Sequence, residues 1–278
     1  MNELYLCESK QIDLKSTLDG GQAFRWHQHG NGFRGIIGQF SYYIFVKNKK
    51  IYISSDNLSK EKIVFIKNYL DLQYDLNLLT RNFKNNLYLS SLFKKYFGLR
   101  ILKQDPWETV VCFITSSVSN ISKIKKNIND LCLNIGDKVG SGDYDYTFPD
   151  PEKIINFGEE NLRKLGFGFR SPYIIDASKK VINKDIILED LFNYSYEKSL
   201  SELTKIKGVG RKVADCIMTY GFQREDVFAV DRWVRRGLVN NLGYNSKYNN
   251  DKLSMVARNN FGSFSSYIQQ YIFYGEKT

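Results

Sequence analysis

The sequence predicts an α+β fold in which an antiparallel sheet comes first and helices follow. Three aromatic and β-branched runs, separated by Gly, Asn and Lys clusters, are typical of an antiparallel meander. These runs lie at residues 32–38, 41–46 and 50–54. From about Leu102 onward nearly all of the chain has helical character. We therefore predict an N-terminal sheet domain with flanking helices over residues 1–100 and a helical domain over residues 101–278.

The helical elements follow from the spacing of apolar residues. Residues 59–72 carry isoleucines and leucines among lysines, which predicts a helix directly after the sheet. A Gly-rich break at residues 136–145 interrupts the helical part, and Pro149-Asp150-Pro151 opens the next helix. Residues 196–206 place leucine and isoleucine at spacings of three, and residues 212–222 show a second apolar stripe. The chain is therefore predicted to form two short helices on either side of residues 207–211.

The segment between those two helices reads Lys-Gly-Val-Gly-Arg, with Gly208 and Gly210 on either side of Val209. Glycine takes positive φ without steric cost and lets backbone amides approach an anion, while the valine ties the turn to a core. The pattern predicts a helix, a Gly-x-Gly hairpin and a second helix, with the hairpin able to hold a phosphate.

Two polar residues follow the hairpin at positions that suit catalysis. Lys212 and Cys216 are four residues apart on the second helix and share one face, and Asp231 follows nineteen residues after Lys212. A neutral lysine amine is a nucleophile for a sugar C1′, and a carboxylate stabilises the positive charge that develops there. The alternatives are a solvent ion pair between Lys212 and Asp215, and a purely structural N-cap at Asp231.

Four segments match the pattern of one family. They are Gly-Gly-Gln-Ala-Phe-Arg-Trp at 20–26, Gln-Asp-Pro-Trp-Glu at 104–108 running into 113–121, Leu-Arg-Lys-Leu-Gly-Phe-Gly-Phe-Arg at 162–170, and the hairpin with Val230-Asp231. With these segments the sequence resembles the helix-hairpin-helix DNA glycosylases, specifically the 8-oxoguanine DNA glycosylase/lyases. The resemblance implies an all-helical helix-hairpin-helix glycosylase domain after the sheet, and an enzyme of base excision repair.

The resemblance also implies roles for individual residues. Lys212 would be the Schiff-base nucleophile with Asp231 as its supporting carboxylate. Gly21 corresponds to the glycine whose carbonyl accepts the N7 hydrogen of 8-oxoguanine, and Gln269 to the glutamine that reads the Watson-Crick edge. Phe273 and Cys216 would cover the two faces of the extruded base.

The DNA-contacting residues that carry over are fewer, because the chain departs from the animal enzymes. Where those enzymes have three consecutive asparagines, this chain has Val118-Ser119-Asn120, so Asn120 is the candidate to fill the gap left by the flipped base. Lys123 replaces an arginine, Phe169 replaces a tyrosine, and Arg170 is retained. Gly208, Val209 and Gly210 would bind the DNA backbone.

Composition agrees with this function. The 278 residues carry 40 Lys and Arg against 30 Asp and Glu, a net charge of +10 that suits a phosphate-bearing partner. The four cysteines and two histidines lack metal-ligand spacing, so we predict neither a metal nor another cofactor. The scattered cysteines fit a reducing compartment, and no apolar run reaches membrane-spanning length.

We therefore expect a monomer in the cytoplasm, associated with the nucleoid, whose partner is double-stranded DNA containing 8-oxoguanine. Two alternatives stay open. One is a helix-hairpin-helix glycosylase for other damaged bases. The presence of Gly21, Gln269 and Phe273 disfavours this alternative. The other is a non-catalytic helix-hairpin-helix DNA-binding module, which leaves Lys212 and Asp231 unexplained.

Overall fold

The computed structural model describes residues 2–56 and 58–278, and it confirms the α+β class. Within these residues the N-terminal part forms one five-stranded antiparallel sheet in the order β1-β5-β4-β3-β2. The strands are β1 (Asn2–Glu8), β2 (Trp26–His29), β3 (Gly32–Ile37), β4 (Phe40–Lys47) and β5 (Lys50–Ser55).

The three predicted strands are β3, β4 and β5, and they pair as a meander. Asn48 and Lys49 join β4 to β5 with φ angles of 51° and 60°, the left-handed conformation that tight hairpin turns require. The two outer strands, β1 and β2, were not predicted. The β2 segment Trp26–His29 lacks the β-branched residues of a typical strand, and its extended form depends on pairing with β3.

Fourteen α-helices accompany the sheet in the part of the chain that the structure describes. They are α1 (Leu14–Leu18), α2 (Lys60–Tyr69), α3 (Asn77–Asn82), α4 (Leu87–Lys95), α5 (Pro106–Thr115), α6 (Ile121–Ile135), α7 (Pro151–Phe157), α8 (Glu159–Lys164), α9 (Ser171–Ile182), α10 (Tyr196–Leu203), α11 (Arg211–Gly221), α12 (Arg232–Arg236), α13 (Asn250–Phe261) and α14 (Ser265–Lys277). The predicted helix after the sheet is α2, and the two helices that flank the Gly-x-Gly segment are α10 and α11.

Two hydrophobic cores organise the chain. The first lies between the sheet and helices α1 and α2, and it includes Leu18, Ile44 and Ile66. The second contains Phe24 from the loop before β2 and residues of α3, α4 and all later helices. Helix α4 packs against α14, so α3 and α4 share the helical core, while Leu102 belongs to the first core. The domain boundary at residue 100 stays a prediction.

Buried polar side chains of the segment 20–26 join the sheet to the helices. Arg25 is 4% exposed, and its guanidinium donates to Glu108 Oε2 of α5 at 3.1 Å and to the Tyr146 carbonyl. The Gln22 side chain donates to the Arg100 carbonyl at 2.6 Å and accepts from the Leu102 amide at 2.8 Å. These contacts fix the loop that carries Gly21 against the start of the helical part.

A second buried network holds α11 in place. Asp215 is fully buried and accepts a hydrogen bond from the Tyr196 hydroxyl of α10 at 2.8 Å. Arg211 donates to the same hydroxyl at 2.9 Å, and the Arg258 guanidinium of α13 lies 3.1 Å from the centroid of the Tyr196 ring. The Asp215 carboxylate therefore does not form the solvent ion pair with Lys212 that the alternative interpretation required.

Burial of Asp215 makes the stability of the fold depend on pH. Desolvation raises the pKa of Asp215 to about 7, although Tyr196 and the two arginines oppose the shift. A carboxyl group with a native pKa above its unfolded value stabilises the native state while protonated, and this contribution is lost as pH rises toward and through 7. Asp215→Asn keeps an acceptor for Tyr196 but cannot ionise. We expect this variant to gain stability relative to wild type between pH 5 and pH 8, measured by urea unfolding; a pH-independent difference would contradict the prediction.

Candidate active site

One cleft collects most of the predicted site residues. It has a volume of about 1080 Å³ and lies between the loop around Gly21, the loop joining α5 to α6, the first turns of α11 and α12, and the last turns of α14. Eight of the predicted residues line it, namely Gly21, Asn120, Lys123, Lys212, Cys216, Asp231, Gln269 and Phe273. The volume is in the range of small-molecule sites, and it is large enough for a nucleobase with its sugar.

The hairpin lies at the start of α11, beside the cleft. Gly208 has φ +76°, and a Cβ there would lie 2.2 Å from the Tyr173 ring, so the close approach requires glycine. Val209 is 5% exposed and ties the turn to the core. Gly210 precedes α11, which has no side-chain cap, and a Cβ on it would meet nothing within 4 Å. The first amides of α11 therefore remain available to an anion.

Lys212 reaches from the first turn of α11 into the cleft. Its Nζ lies 5.9 Å from the centroid of the Phe113 ring, and the Lys212 side chain forms no ion pair with any carboxylate of residues 2–56 and 58–278. One turn later, burial raises the pKa of the Cys216 thiol to about 11, although the nearby Lys212 opposes the shift. Cys216 is therefore a neutral, apolar packing surface near pH 7.

Asp231 caps α12 and also lines the cleft. Its Oδ1 accepts hydrogen bonds from the amides of Trp233 and Val234, both at 2.9 Å, and so caps α12. The same side chain lines the cleft that contains Lys212. These hydrogen bonds to Oδ1 hold the carboxylate in one orientation, and the other oxygen, Oδ2, takes no part in the cap.

The cleft also contains residues that were predicted to bind the base. Gly21 has φ +92°, and a Cβ there would lie 3.1 Å from the Phe273 ring, so the Gly21 backbone lies close to that aromatic face. Gln269 is 4% exposed, and its Oε1 has no hydrogen-bond partner among the described residues. A buried acceptor without a partner is costly, which suits a ligand that brings a donor.

Two predicted DNA contacts lie outside the cleft wall. Arg170 is 4% exposed, and its guanidinium donates to the carbonyls of Ser117 and Val118, the latter at 2.8 Å. Phe169 is 48% exposed, and the centroid of its ring lies 4.4 Å from that guanidinium. In this structure Arg170 supports the loop that joins α5 to α6, so contact of Arg170 with DNA stays a prediction.

Sequence reasoning missed Val118. This side chain is 91% exposed at the cleft, and its φ of +50° is strained for a β-branched residue. Asn120, in contrast, caps α6, because its Oδ1 accepts from the Lys123 amide at 2.9 Å. The sequence feature that indicates Val118 is its apolar side chain within the polar segment Ser-Ser-Val-Ser-Asn.

The charges on the cleft wall are mostly positive. Lys123, Lys212, Arg232 and Lys277 line it, and Asp231 is its one acidic residue among those described. Burial lowers the pKa of Lys277, while Asp19 opposes the shift. Arg232 and Lys277 are also residues that the sequence did not single out. The excess of cations favours a polyanionic ligand.

In the described ranges, no group of histidine, cysteine, aspartate and glutamate side chains has the arrangement of a metal site. None of the helices in these ranges combines the length and the hydropathy needed to cross a bilayer.

Comparison with known families identifies the family to which this chain belongs. Residues 4–110 match the model described as 8-oxoguanine DNA glycosylase, N-terminal domain, and residues 111–259 match the model described as HhH-GPD superfamily base excision DNA repair protein. The chain belongs to the HhH-GPD superfamily of base excision DNA repair proteins. DNA is accordingly the partner of this HhH-GPD protein.

Individual relatives agree with that membership. The N-glycosylase/DNA lyase of Saccharomyces cerevisiae is 31% identical over 81% of this chain and 67% of its own length. A probable N-glycosylase/DNA lyase of Methanothermobacter thermautotrophicus is 28% identical over 94% and 92%. The crystal structure of Clostridium acetobutylicum 8-oxoguanine glycosylase/lyase, in complex with DNA containing cytosine opposite 8-oxoguanine, superposes with a TM-score of 0.91 at 31% identity, covering 96% of this chain and 92% of that one.

The two hairpin glycines should separate stability from DNA binding. Gly208→Ala should destabilise the HhH-GPD protein by roughly 1–3 kcal/mol, because alanine is strained at positive φ and its Cβ clashes with Tyr173. Gly210→Ala should change stability by less than about 0.5 kcal/mol. It should nevertheless weaken DNA binding, because the added methyl group occupies the open space before α11. Urea unfolding and fluorescence anisotropy with a labelled duplex would measure both effects, and wild-type affinity of Gly210→Ala would contradict a hairpin contact.

Proposed function

We propose that this protein is a bifunctional DNA glycosylase/AP lyase that excises 8-oxoguanine from duplex DNA in base excision repair. The observation that carries the proposal is a single cleft lined by a lysine without an ion pair among the described residues, a fixed carboxylate and a buried acceptor without a partner. The 8-oxoguanine DNA glycosylase domain match and the names of the relatives support the same activity.

In the proposed reaction the neutral Lys212 amine attacks C1′ of the damaged nucleotide. The bond from Nζ to C1′ forms while the bond from C1′ to N9 of the base breaks, and the base leaves with a proton. Asp231 stabilises the positive charge that develops on the sugar in this step. The sugar ring then opens to a Schiff base, and removal of a C2′ proton expels the 3′ phosphate by β-elimination, which nicks the strand. These steps need no cofactor.

Recognition of the base is proposed in the same cleft. 8-Oxoguanine carries an N7 hydrogen that guanine lacks, and the Gly21 carbonyl would accept it. The N1 and N2 hydrogens of the base would satisfy the unpartnered Oε1 of Gln269. Phe273 and Cys216 would cover the two faces of the ring. A guanine in the same place would leave the Gly21 carbonyl opposite the N7 lone pair, which is unfavourable.

DNA would enter over the hairpin and the loop that joins α5 to α6. The amides after Gly208, Val209 and Gly210 would bind a backbone phosphate, and Lys123, Phe169 and Arg170 would contact the duplex. Asn120 stays the residue predicted to fill the space that the extruded base leaves. Because its side-chain Oδ1 caps α6, we propose that the exposed Val118 side chain also enters this space. Apolar side chains act in this way in other proteins that open a base stack.

We further propose that the protein acts as a monomer on DNA in the cytoplasm, associated with the nucleoid. The division into a sheet domain over residues 1–100 and a glycosylase domain over residues 101–278 stays a prediction of how the chain folds.

Borohydride trapping tests the nucleophile. Reduction of the Schiff base would link wild-type protein covalently to a duplex that contains 8-oxoguanine, and Lys212→Gln should abolish this adduct. Lys277→Gln is the matched control, because it removes another lysine of the same cleft and should still trap. If wild-type protein releases the base but forms no adduct, Lys212 is not the nucleophile. If it releases only other damaged bases, the alternative glycosylase assignment holds, and if it releases none, the protein is a binding module.

The role of Val118 gives a second test. Glycine takes φ +50° without strain, so Val118→Gly should leave the free energy of unfolding unchanged or raise it. Loss of the side chain should slow single-turnover excision by about tenfold or more, the effect of ~1.4 kcal/mol on the barrier. Val118→Leu retains an apolar side chain and should keep most of the rate. A wild-type rate for Val118→Gly would show that another residue fills the gap.

A further inference from the structure

Helix α12 carries three arginines, which differ in their hydrogen-bond and ion-pair partners. The Arg235 guanidinium donates to the carbonyls of Ser246 and Tyr248, at 2.7 Å and 2.8 Å. Arg236 forms an ion pair with Glu276 of α14. Arg232 forms no hydrogen bond and no ion pair with any residue in the described ranges, and its side chain is exposed at the cleft. Two of the three charges are therefore used within the fold, and the third is available to a ligand.

Trp233 keeps the free arginine near the cleft. The Arg232 guanidinium carbon lies 4.5 Å from the centroid of the Trp233 ring, within the range of a cation–π contact. The Trp233 amide is held by Asp231, and its ring also lies 4.7 Å from the Arg236 guanidinium carbon. Glu276, which fixes Arg236, is itself held by hydrogen bonds from Tyr88 and Asn241. The ring is thus anchored, and the anchored ring orients Arg232.

We propose that Arg232, oriented by Trp233, binds a phosphate diester directly next to the extruded nucleotide. This inference rests on the proposed function, which places that nucleotide in the cleft beside Asp231. Arg232 and Asp231 both line the cleft, so the Arg232 side chain borders the space that the sugar would occupy. A planar guanidinium forms two parallel hydrogen bonds to phosphate oxygens, which an ammonium group cannot do.

The salt dependence of DNA binding is the first measurement. The probe is a duplex with a tetrahydrofuran abasic-site analogue, which the protein binds but cannot cleave. Each neutralised phosphate contributes about −0.9 to the slope of log Kobs against log salt concentration, so Arg232→Met should make the slope less negative by about 0.9. Arg81→Met removes an arginine on α3, away from the cleft, and should leave the slope unchanged. An unchanged slope for Arg232→Met would overturn the proposal.

A double-mutant cycle identifies the phosphate. A neutral methylphosphonate is placed on the 3′ side or on the 5′ side of the abasic analogue. At the contacted position it should weaken wild-type binding at least about tenfold, the effect of ~1.4 kcal/mol, and should cause little further loss in Arg232→Met. Coupling at either position supports the proposal. Additive losses at both positions would overturn it.

The positioning role of Trp233 is tested in the same cycle. Trp233→Leu removes the ring and should abolish most of the coupling between Arg232 and the phosphate, whereas Trp233→Phe retains a ring and should preserve it. Equal coupling in both variants would show that Trp233 does not orient Arg232. Borohydride trapping of wild-type protein is run in parallel. Trapping without phosphate coupling refutes this inference alone, and coupling without trapping or base release refutes the proposed function.

Discussion

The site depends on the fixed position of α11. The helix begins at the hairpin, in which Gly208 contacts Tyr173 closely. Asp215 links the buried face of α11 to α10. At its other end Tyr220 stacks on Phe113 of α5, with ring centroids 5.2 Å apart, and its hydroxyl donates to Gln270 of α14. Held on these sides, α11 presents Lys212 and Cys216 to one cleft. Burial of Asp215 against its partners is thus part of how the reactive amine is positioned.

Two features that cost stability lie at this cleft. Val118 is held at a strained φ, and Gln269 keeps a buried oxygen without a partner. Such features are not confined to the cleft, because Ser199 and Thr219 also have buried hydroxyls without a partner and Lys184 takes φ 60°. The features at the cleft differ in that a ligand bound there would supply the missing contacts.

The distribution of charge follows the same division. Many exposed lysines and arginines away from the cleft lie beside carboxylates, as Lys47 does with Glu3 and Arg163 with Glu159. The cations on the cleft wall have no such partners within the described ranges, apart from the distant influence of Asp19 on Lys277. The location of the cations without carboxylate partners is therefore more informative than the net charge of +10. These cations lie on the surface that an entering DNA strand would meet.

The sequence by itself determined the α+β order, the Gly-x-Gly hairpin and the residues whose chemistry is local. Residue type and spacing singled out Lys212 and Asp231, whereas Gly21, Gln269 and Phe273 were predicted from the resemblance to the 8-oxoguanine DNA glycosylase/lyases. Only the tertiary structure decided that α3 and α4 join the helical core, that Arg170 is buried under a loop, and that Val118 is exposed while Asn120 caps a helix. It also decided which arginine of α12 has no partner. These properties depend on contacts between residues far apart in the chain, and no local pattern records which partner a side chain will meet.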